Sequence, residues 1–245
     1  MNLMPTTRTL NGQSRTLTIV RHGQTAYNNQ HRFQGRIDIP LDETGLWQVA
    51  QTGHALRELY VHDHTDCHPF VVSSDLTRAM QTAHAFADAL GLQVHTDKRL
   101  RERCFGDWEG ESVEDVAVRF PQDFESWRDG GGGEMRHGAE DRMAVASRGM
   151  QAIAHWSRVA GADSDLFVFS HGAFIEQTLQ GMFGIAQAFP DFVSVSSMRN
   201  AHWARLTNAM LTQPDRWILN DYNHGPAIAD TPQWYEPHTN TQQSA

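Results

Sequence analysis

The sequence predicts an α/β fold: a three-layer α/β/α arrangement around a mostly parallel central sheet, with a small helical insertion covering the C-terminal edge of the strands. Two observations carry that expectation. Apolar runs at residues 17–20, 70–72 and 166–169 are continuous rather than alternating, as in strands buried on both faces. Between these runs the apolar residues recur at helical spacing, so strands alternate with helices.

The elements follow in order. Leu46, Val49, Ala50, Gly53, Leu56 and Leu59 form one helical stripe after the 17–20 strand, with Asp42 as its N-cap. Leu76, Ala79, Met80, Ala83, Phe86 and Leu90 form a second, stopped by Gly91. A third runs from about Ala139 toward Ala160 through Met143, Ala146, Met150, Ile153 and Ala154, and a fourth from Gly172 through Ile175 and Leu179 to Met182. Residues 111–138 break the rhythm with short helical pieces at 113–119 and 123–127 and a glycine run at 130–133. This segment reads equally as a cover with a flexible hinge or as a plain surface connector. The expected organisation is an N-terminal extension (1–15), one domain (16–224) containing the 111–138 insertion, and a polar tail (225–245) that is poorly ordered or draped on the surface.

A chain of 245 residues is long enough for one large domain with a well-buried core. Twenty Lys and Arg against 29 Asp and Glu leave a net charge of −9 with histidine neutral, which argues against nucleic-acid and anionic-membrane surfaces as partners. The N-terminus lacks the apolar stretch of a signal peptide, and no run approaches the ~18 apolar residues a membrane span needs, so a cytoplasmic protein is expected. Cys67 and Cys104 read as free thiols. A homodimer is compatible with the sequence, which identifies no apolar stripe for it.

The chemistry gathers where the apolar runs end. The first run is followed by Arg21, His22 and Gly23, the second by Ser73, Ser74, Asp75, Leu76, Thr77 and Arg78, and the third by Ser170, His171 and Gly172. Open parallel sheets bind ligands beyond the carboxyl ends of their strands, so two histidines and two arginines should surround one small volume. Guanidinium forks match phosphate oxygens, and a neutral imidazole is a competent nucleophile toward phosphorus. Gly23 and Gly172 are expected to let the backbone approach a ligand closely. A net-acidic chain needs such a concentrated cationic pocket to hold phosphate.

These residues carry a resemblance. Arg21-His22-Gly23-Gln24-Thr25-Ala26-Tyr27-Asn28, then Arg32-Phe33-Gln34-Gly35, Asp38, Pro40-Leu41 and Gly45, resemble the N-terminal signature of the histidine phosphatase superfamily, whose members include cofactor-dependent phosphoglycerate mutase. Ser73-Ser74-Asp75-Leu76 with Arg78-Ala79 and Gln81-Thr82-Ala83, Leu100-Arg101-Glu102 with Phe105-Gly106-Asp107-Trp108-Glu109-Gly110, and Ser170-His171-Gly172 resemble its later blocks in order and spacing. The resemblance implies that His22 is the nucleophile that becomes phosphohistidine. It likewise implies that Arg21, Arg78 and His171 bind the phosphate and that Glu102 is the proton donor to the leaving group. It places Asn28, Gln34 and Gly35 at substrate-contacting positions and implies no metal, nucleotide or other cofactor. Read from its neighbours alone, Glu102 would be a surface carboxylate paired with Arg101 or Arg103. The implied activity is hydrolysis of a small phosphorylated metabolite, a sugar phosphate or phosphoglycerate derivative. A phosphoglycerate mutase and a non-catalytic phospho-ligand-binding module are the alternatives. The mutases carry a longer, basic, Pro-rich cover that this chain lacks, whereas here Glu111, Glu114, Asp115 and Asp123 follow the acid.

Other features are weighed against this reading. His62, His64, Cys67 and His68, interleaved with Asp63 and Asp66, have spacings that suit zinc or nickel, but they lie where a polar loop is expected. His31 and His137 stand near the substrate-facing blocks, and Cys104 is a reactive thiol or a small packing residue. Trp108 reads as core. Glu176 departs from the family, whose phosphatases often carry a basic residue near that place. An acid there disfavours a strongly anionic substrate group beside this helix, unless the side chain faces elsewhere.

Overall fold

The computed structural model describes residues 12–62, 64–188, 195–208 and 215–237. Its main elements are β1 (Thr16–Arg21), α1 (Ala26–Asn29), α2 (Glu43–Arg57), β2 (Pro69–Ser73), α3 (Thr77–Ala87), β3 (Val94–Thr96), α4 (Val113–Arg119), α5 (Pro121–Arg128), α6 (Arg142–Ala160), β4 (Asp165–Ser170), α7 (Gly172–Met182), α8 (Ile185–Ala188), β5 (Trp203–Asn208) and β6 (Trp217–His224). The strands form one sheet in the order β3-β2-β4-β1-β5-β6. β3, β2, β4 and β1 run parallel, while β5 pairs antiparallel to β1 and β6 antiparallel to β5.

The three expected strands are β1, β2 and β4, and their continuous hydrophobicity has the anticipated cause. Leu17, Ile19, Leu166 and Val168 face α6 and α7, packing with Val145, Ile153, Phe174, Ile175 and Leu179. Val20, Val71, Phe167 and Phe169 face the opposite way, against Leu56 of α2 and Ala83 and Phe86 of α3. Two helical layers therefore sandwich one sheet, as expected. Register then levels the strand ends, because Arg21 of β1 lies opposite Ser170 of β4 and Ser73 of β2 opposite Phe169.

The helices differ from expectation in detail. Asp42 does cap α2, its Oδ1 accepting from Gly45 N at 2.7 Å. The buried face of α2, however, is Gly45, Gln48, Val49, Thr52, Gly53 and Leu56, while Leu46 and Leu59 are about half exposed at 48% and 46%. The polar members are inside because they bind backbone. Gln48 Oε1 accepts from Gln24 N, Gln48 Nε2 donates to Trp234 O, and Thr52 Oγ1 donates to Ala201 O. Helix α3 ends in a 3-10 turn, and Gly91 follows at φ 63, the left-handed stop expected of it. The expected third helix begins at Arg142, with Asp141 as N-cap, rather than near Ala139.

Within 111–138, α4 and α5 appear where the short helical pieces were expected. Val113, Val116, Phe120, Phe124 and Trp127 pack with Phe33, Phe105 and Trp108 and reach Ala173 in the first turn of α7, just beyond the end of β4. The glycine run is tightly packed: a Cβ on Gly133 would lie 2.1 Å from Asp123 O, and Gly131 N donates to Ser126 O at 2.7 Å.

Residues 1–11 of the expected extension and 238–245 of the expected tail lie outside the described residues. Ser14 is buried and its N–H bonds to Ser157 O. After β6 the chain forms 3-10 turns at Ala227–Asp230 and Pro232–Trp234. Trp234 is fully buried, edge-on to Trp47 at 5.6 Å and to His202 at 5.6 Å. Among the described residues, no helix is long and apolar enough to cross a membrane. Because the fully buried Trp234 ring packs on Trp47 and His202, Trp234→Ala should lower stability by about 3–5 kcal/mol, read as a shifted midpoint in urea unfolding.

Candidate active site

Four expected residues meet at the level strand ends. His22 leaves β1 with its N–H on Ser170 O at 3.0 Å, and His171 leaves β4 one residue after Ser170; their rings lie 5.3 Å apart. His22 Nδ1–H donates to Gly23 O at 2.6 Å. A carbonyl can only accept, so in the neutral ring Nδ1 carries the proton and Nε2 keeps a bare lone pair. His171 Nε2 bonds to Ser74 Oγ at 2.9 Å.

The two arginines are held by carbonyls. Arg78 is fully buried, its Nη1 donating to Ile37 O at 2.9 Å and its Nη2 to Gly35 O at 2.8 Å. Arg21 Nη1 donates to Met198 O. Arg21 Nε, Arg78 Nε, His171 Nδ1 and Gln34 Oε1 are buried with no hydrogen-bond partner among the described residues. The open guanidinium N–H groups of Arg21 and Arg78, with His171 Nδ1 in the tautomer that carries its proton there, are donors an oxyanion would complete, whereas Gln34 Oε1 can only accept, as from a hydroxyl.

The electrostatics follow from this packing. Burial, then the charges of Arg78 and Arg21, hold His22 well below the usual histidine range. Burial, Arg78 and His22 do the same for His171. Burial lowers Arg78 to about 10, against the opposing pull of Glu102, and still leaves it charged at neutral pH. Neutral imidazoles therefore stand beside charged guanidiniums.

Glu102 is buried, and its side chain turns away from the neighbouring arginines. Oε1 accepts from Arg103 N at 2.8 Å and Phe174 N at 2.8 Å, and Oε2 from Ala173 N at 3.2 Å. The carboxyl group thus sits on the first turn of α7, held by backbone N–H groups that have no partner within the helix. Arg101 instead binds Asp75 through two bonds of 2.7 and 2.6 Å, and Arg103 binds buried Glu134 at 2.6 Å. Arg148 of α6 fastens this stretch by donating to the carbonyls of Arg99, Arg101 and Glu102. The surface-pair reading of Glu102 is replaced by an inward carboxylate.

The remaining expected residues take other places. Asn28 Oδ1 accepts from Thr25 N, Thr25 Oγ1 and Asn200 Nδ2, closing the loop after His22. Gly35, at φ 49, supplies the carbonyl that holds Arg78, and a Cβ there would strike Glu109 Oε1 at 1.9 Å. At Gly23 and Gly172 the protein itself leaves little room for a side chain. A Cβ on Gly23 would lie 2.7 Å from both Gly45 O and Val49 Cγ1, and one on Gly172 would lie 3.3 Å from Arg21 Cζ. Asn200 was missed from sequence. Its Nδ2 donates to His22 O, Gly23 O and Asn28 Oδ1 at 3.1–3.2 Å. No strand end or motif marks it.

The metal-like loop is dispersed. His62 Nδ1 bonds to Glu58, His64 Nε2 to Leu59 O, and burial beside Asp165 pushes the Cys67 thiol up to about 12. Asp63 lies outside the described residues, among which no three His, Cys, Asp or Glu side chains are grouped to hold a metal ion. His137 is bound to Asp123 at 2.9 Å and packs on Trp108 and Phe120, while His31 is exposed in a left-handed turn at φ 51. Burial raises the Cys104 thiol, which suits packing better than reactivity.

Comparison with known proteins agrees with this geometry. A family model described as the histidine phosphatase superfamily (branch 1) matches residues 17–223. A glucosyl-3-phosphoglycerate phosphatase of Mycolicibacterium vanbaalenii is 31% identical over 233 residues, covering 88% of this chain and 97% of that one. A probable phosphoglycerate mutase of Yersinia pestis is 32% identical over 174 residues, covering 68% and 74%. The solved structure of a mycobacterial glucosyl-3-phosphoglycerate phosphatase with VO3 superposes with a TM-score of 0.72 at 29% identity, covering 86% of this chain and all of that one. With a matching family model across most of its length and a relative above 30% identity aligned nearly end to end, this chain belongs to branch 1 of the histidine phosphatase superfamily.

Proposed function

We propose that the protein hydrolyses phosphomonoesters in two steps through a phosphohistidine on His22. The observation that carries this reading is the bare Nε2 of a neutral His22 beside Arg21, Arg78 and His171, whose open donors await an oxyanion. In the first step Nε2 attacks phosphorus in line. The N–P bond forms as the P–O bond to the leaving group breaks, and Glu102, entering as the acid, transfers its proton to the departing alkoxide. In the second step Glu102, now a carboxylate, takes a proton from water, the hydroxide oxygen attacks phosphorus, and the N–P bond breaks to release inorganic phosphate. Arg21, Arg78 and His171 hold the equatorial oxygens throughout, so most of the acceleration comes from positioning and charge stabilisation.

The substrate is a small phosphorylated metabolite, a sugar phosphate or phosphoglycerate derivative. The glucosyl-3-phosphoglycerate phosphatases among the relatives support that class. Likeness to a probable mutase keeps phosphoglycerate isomerisation as the second reading. Incubating the chelator-treated protein with phosphomonoesters including 3-phosphoglycerate, with and without 2,3-bisphosphoglycerate, separates the two. Released phosphate supports hydrolysis and isomer exchange supports the mutase, whereas binding without turnover means the pocket has lost its chemistry.

Three substitutions check the roles. His22→Ala should abolish both turnover and acid-labile labelling by phosphate, and surviving label would exclude His22 as nucleophile. Glu102→Gln should slow alkyl phosphates by roughly 10²- to 10⁴-fold but activated aryl phosphates far less, because only a poor leaving group needs the proton. Asn200→Ala releases the backbone of His22 and Gly23, so kcat should fall roughly 10- to 100-fold with a smaller change in KM.

A further inference from the structure

Helix α7 carries an acidic side chain that the proposed mechanism does not use. Glu176 is four residues beyond Gly172 and three beyond Ala173, so it shares their face of the helix. Its buried carboxyl interacts electrostatically with Glu102, which the Ala173 N–H holds, and Gly172 on the same face lies against the Arg21 guanidinium. Among the described residues Glu176 Oε1 accepts only long bonds, from Gln180 Nε2 at 3.3 Å and Gln177 Nε2 at 3.4 Å. A carboxylate has about four acceptor positions, so capacity for further hydrogen bonds remains.

We infer that Glu176 reads the part of the substrate next to the phosphate, as a carboxylate accepting hydrogen bonds from the hydroxyls of a neutral polyol or sugar monophosphate and disfavouring esters with a second anionic group there. This rests on the phosphatase reading and narrows its substrate class.

The surrounding charges give the preference a pH dependence. Arg142 of α6 and Arg103 of the preceding loop face Glu176, and both are bound to Glu134, at 3.3 and 2.6 Å. Arg148, over the Phe174 ring, is engaged by Glu140 and backbone carbonyls. Glu102 repels Glu176, and Tyr222 of β6 presents a phenol that burial and Glu176 keep protonated. Arg21, beyond Tyr222, belongs to the phosphate pocket. Burial raises Glu176 to about 7. Below that pH, with Glu102 in the acid form in which the proposed mechanism has it meet the substrate, the wall carries the two arginines against Glu134 and tolerates an added carboxylate. Above it, ionised Glu176 cancels the excess positive charge and the tolerance is lost.

Glycerol 3-phosphate and 3-phosphoglycerate share a three-carbon skeleton and differ in a hydroxymethyl group against a carboxylate. Taking the ratio of their kcat/KM values cancels the phosphate's own ionisation near pH ~6, common to both. In the unsubstituted enzyme the ratio favouring glycerol 3-phosphate should rise about tenfold between pH 6 and 8, equivalent to about 1.4 kcal/mol, with the change carried mainly by KM for the carboxylated ester. In Glu176→Gln it should stay level. A flat ratio in the unsubstituted enzyme, which needs no variant to fold, overturns the inference, as does an equal rise in Glu176→Gln. Hydrolysis of p-nitrophenyl phosphate, which has no second anionic group, is the control. If it is hydrolysed and the ratio is flat, only the role of Glu176 fails; if it is not hydrolysed, the phosphatase reading fails and this inference with it.

Discussion

The site is built around two guanidiniums buried without a directly paired carboxylate. Arg78 has no exposed surface, and among the described residues its terminal nitrogens reach only the carbonyls of Gly35 and Ile37. Taking a cation out of water costs several kcal/mol, and carbonyl dipoles return only part of that. The arrangement survives because those carbonyls cannot move away. The loop that carries them is knitted to the 105–112 stretch: Gly110 N donates to Phe33 O, Phe33 N to Glu111 O, and Glu109 Oε1 accepts from Arg36 N and Phe105 N. The block around Trp108 thus supports Arg78 from a distance, and a phosphate dianion would supply the countercharge that the protein withholds.

The same economy of charge governs Glu102. Every cation beside it in sequence, and the arginine that grips its backbone, has a carboxylate elsewhere: Arg101 has Asp75, Arg103 has Glu134, and Arg148 has Glu140. Glu102 is left to backbone N–H groups, which hold it in place without clamping it in a salt bridge.

What the sequence reveals depends on whether function and burial leave a local pattern. β1, β2 and β4 are legible because burial on both faces makes them continuously apolar, and Arg21, His22, Arg78 and His171 are legible because they stand at or just beyond those strand ends. β3 has three residues, β5 alternates, and β6 is mostly exposed, so none presents such a run. Gln48 and Thr52 look like surface positions in α2, and only the backbone groups they bind, on distant parts of the chain, explain their burial. Asn200 is silent for the same reason: it reaches His22, Gly23 and Asn28 across more than 170 residues. The glycines show a subtler limit. Gly23, Gly35 and Gly172 were identifiable as special, but whether the space they leave admits a ligand or a protein side chain is decided by packing.

One arrangement of charge answers two demands on His22. On the proposed mechanism the imidazole must be neutral when substrate arrives, while the phosphate must be drawn into a chain whose net charge is −9. Burial of His22 does most to keep its ring neutral, and the field of Arg78 and Arg21, which would attract a dianion at contact, pushes in the same direction. That field works only at short range and in a dry site, where exposed counter-charges and salt do little to weaken it. The buried charge of Arg78, costly for the empty protein, thus adds to the burial of His22 in keeping that ring unprotonated.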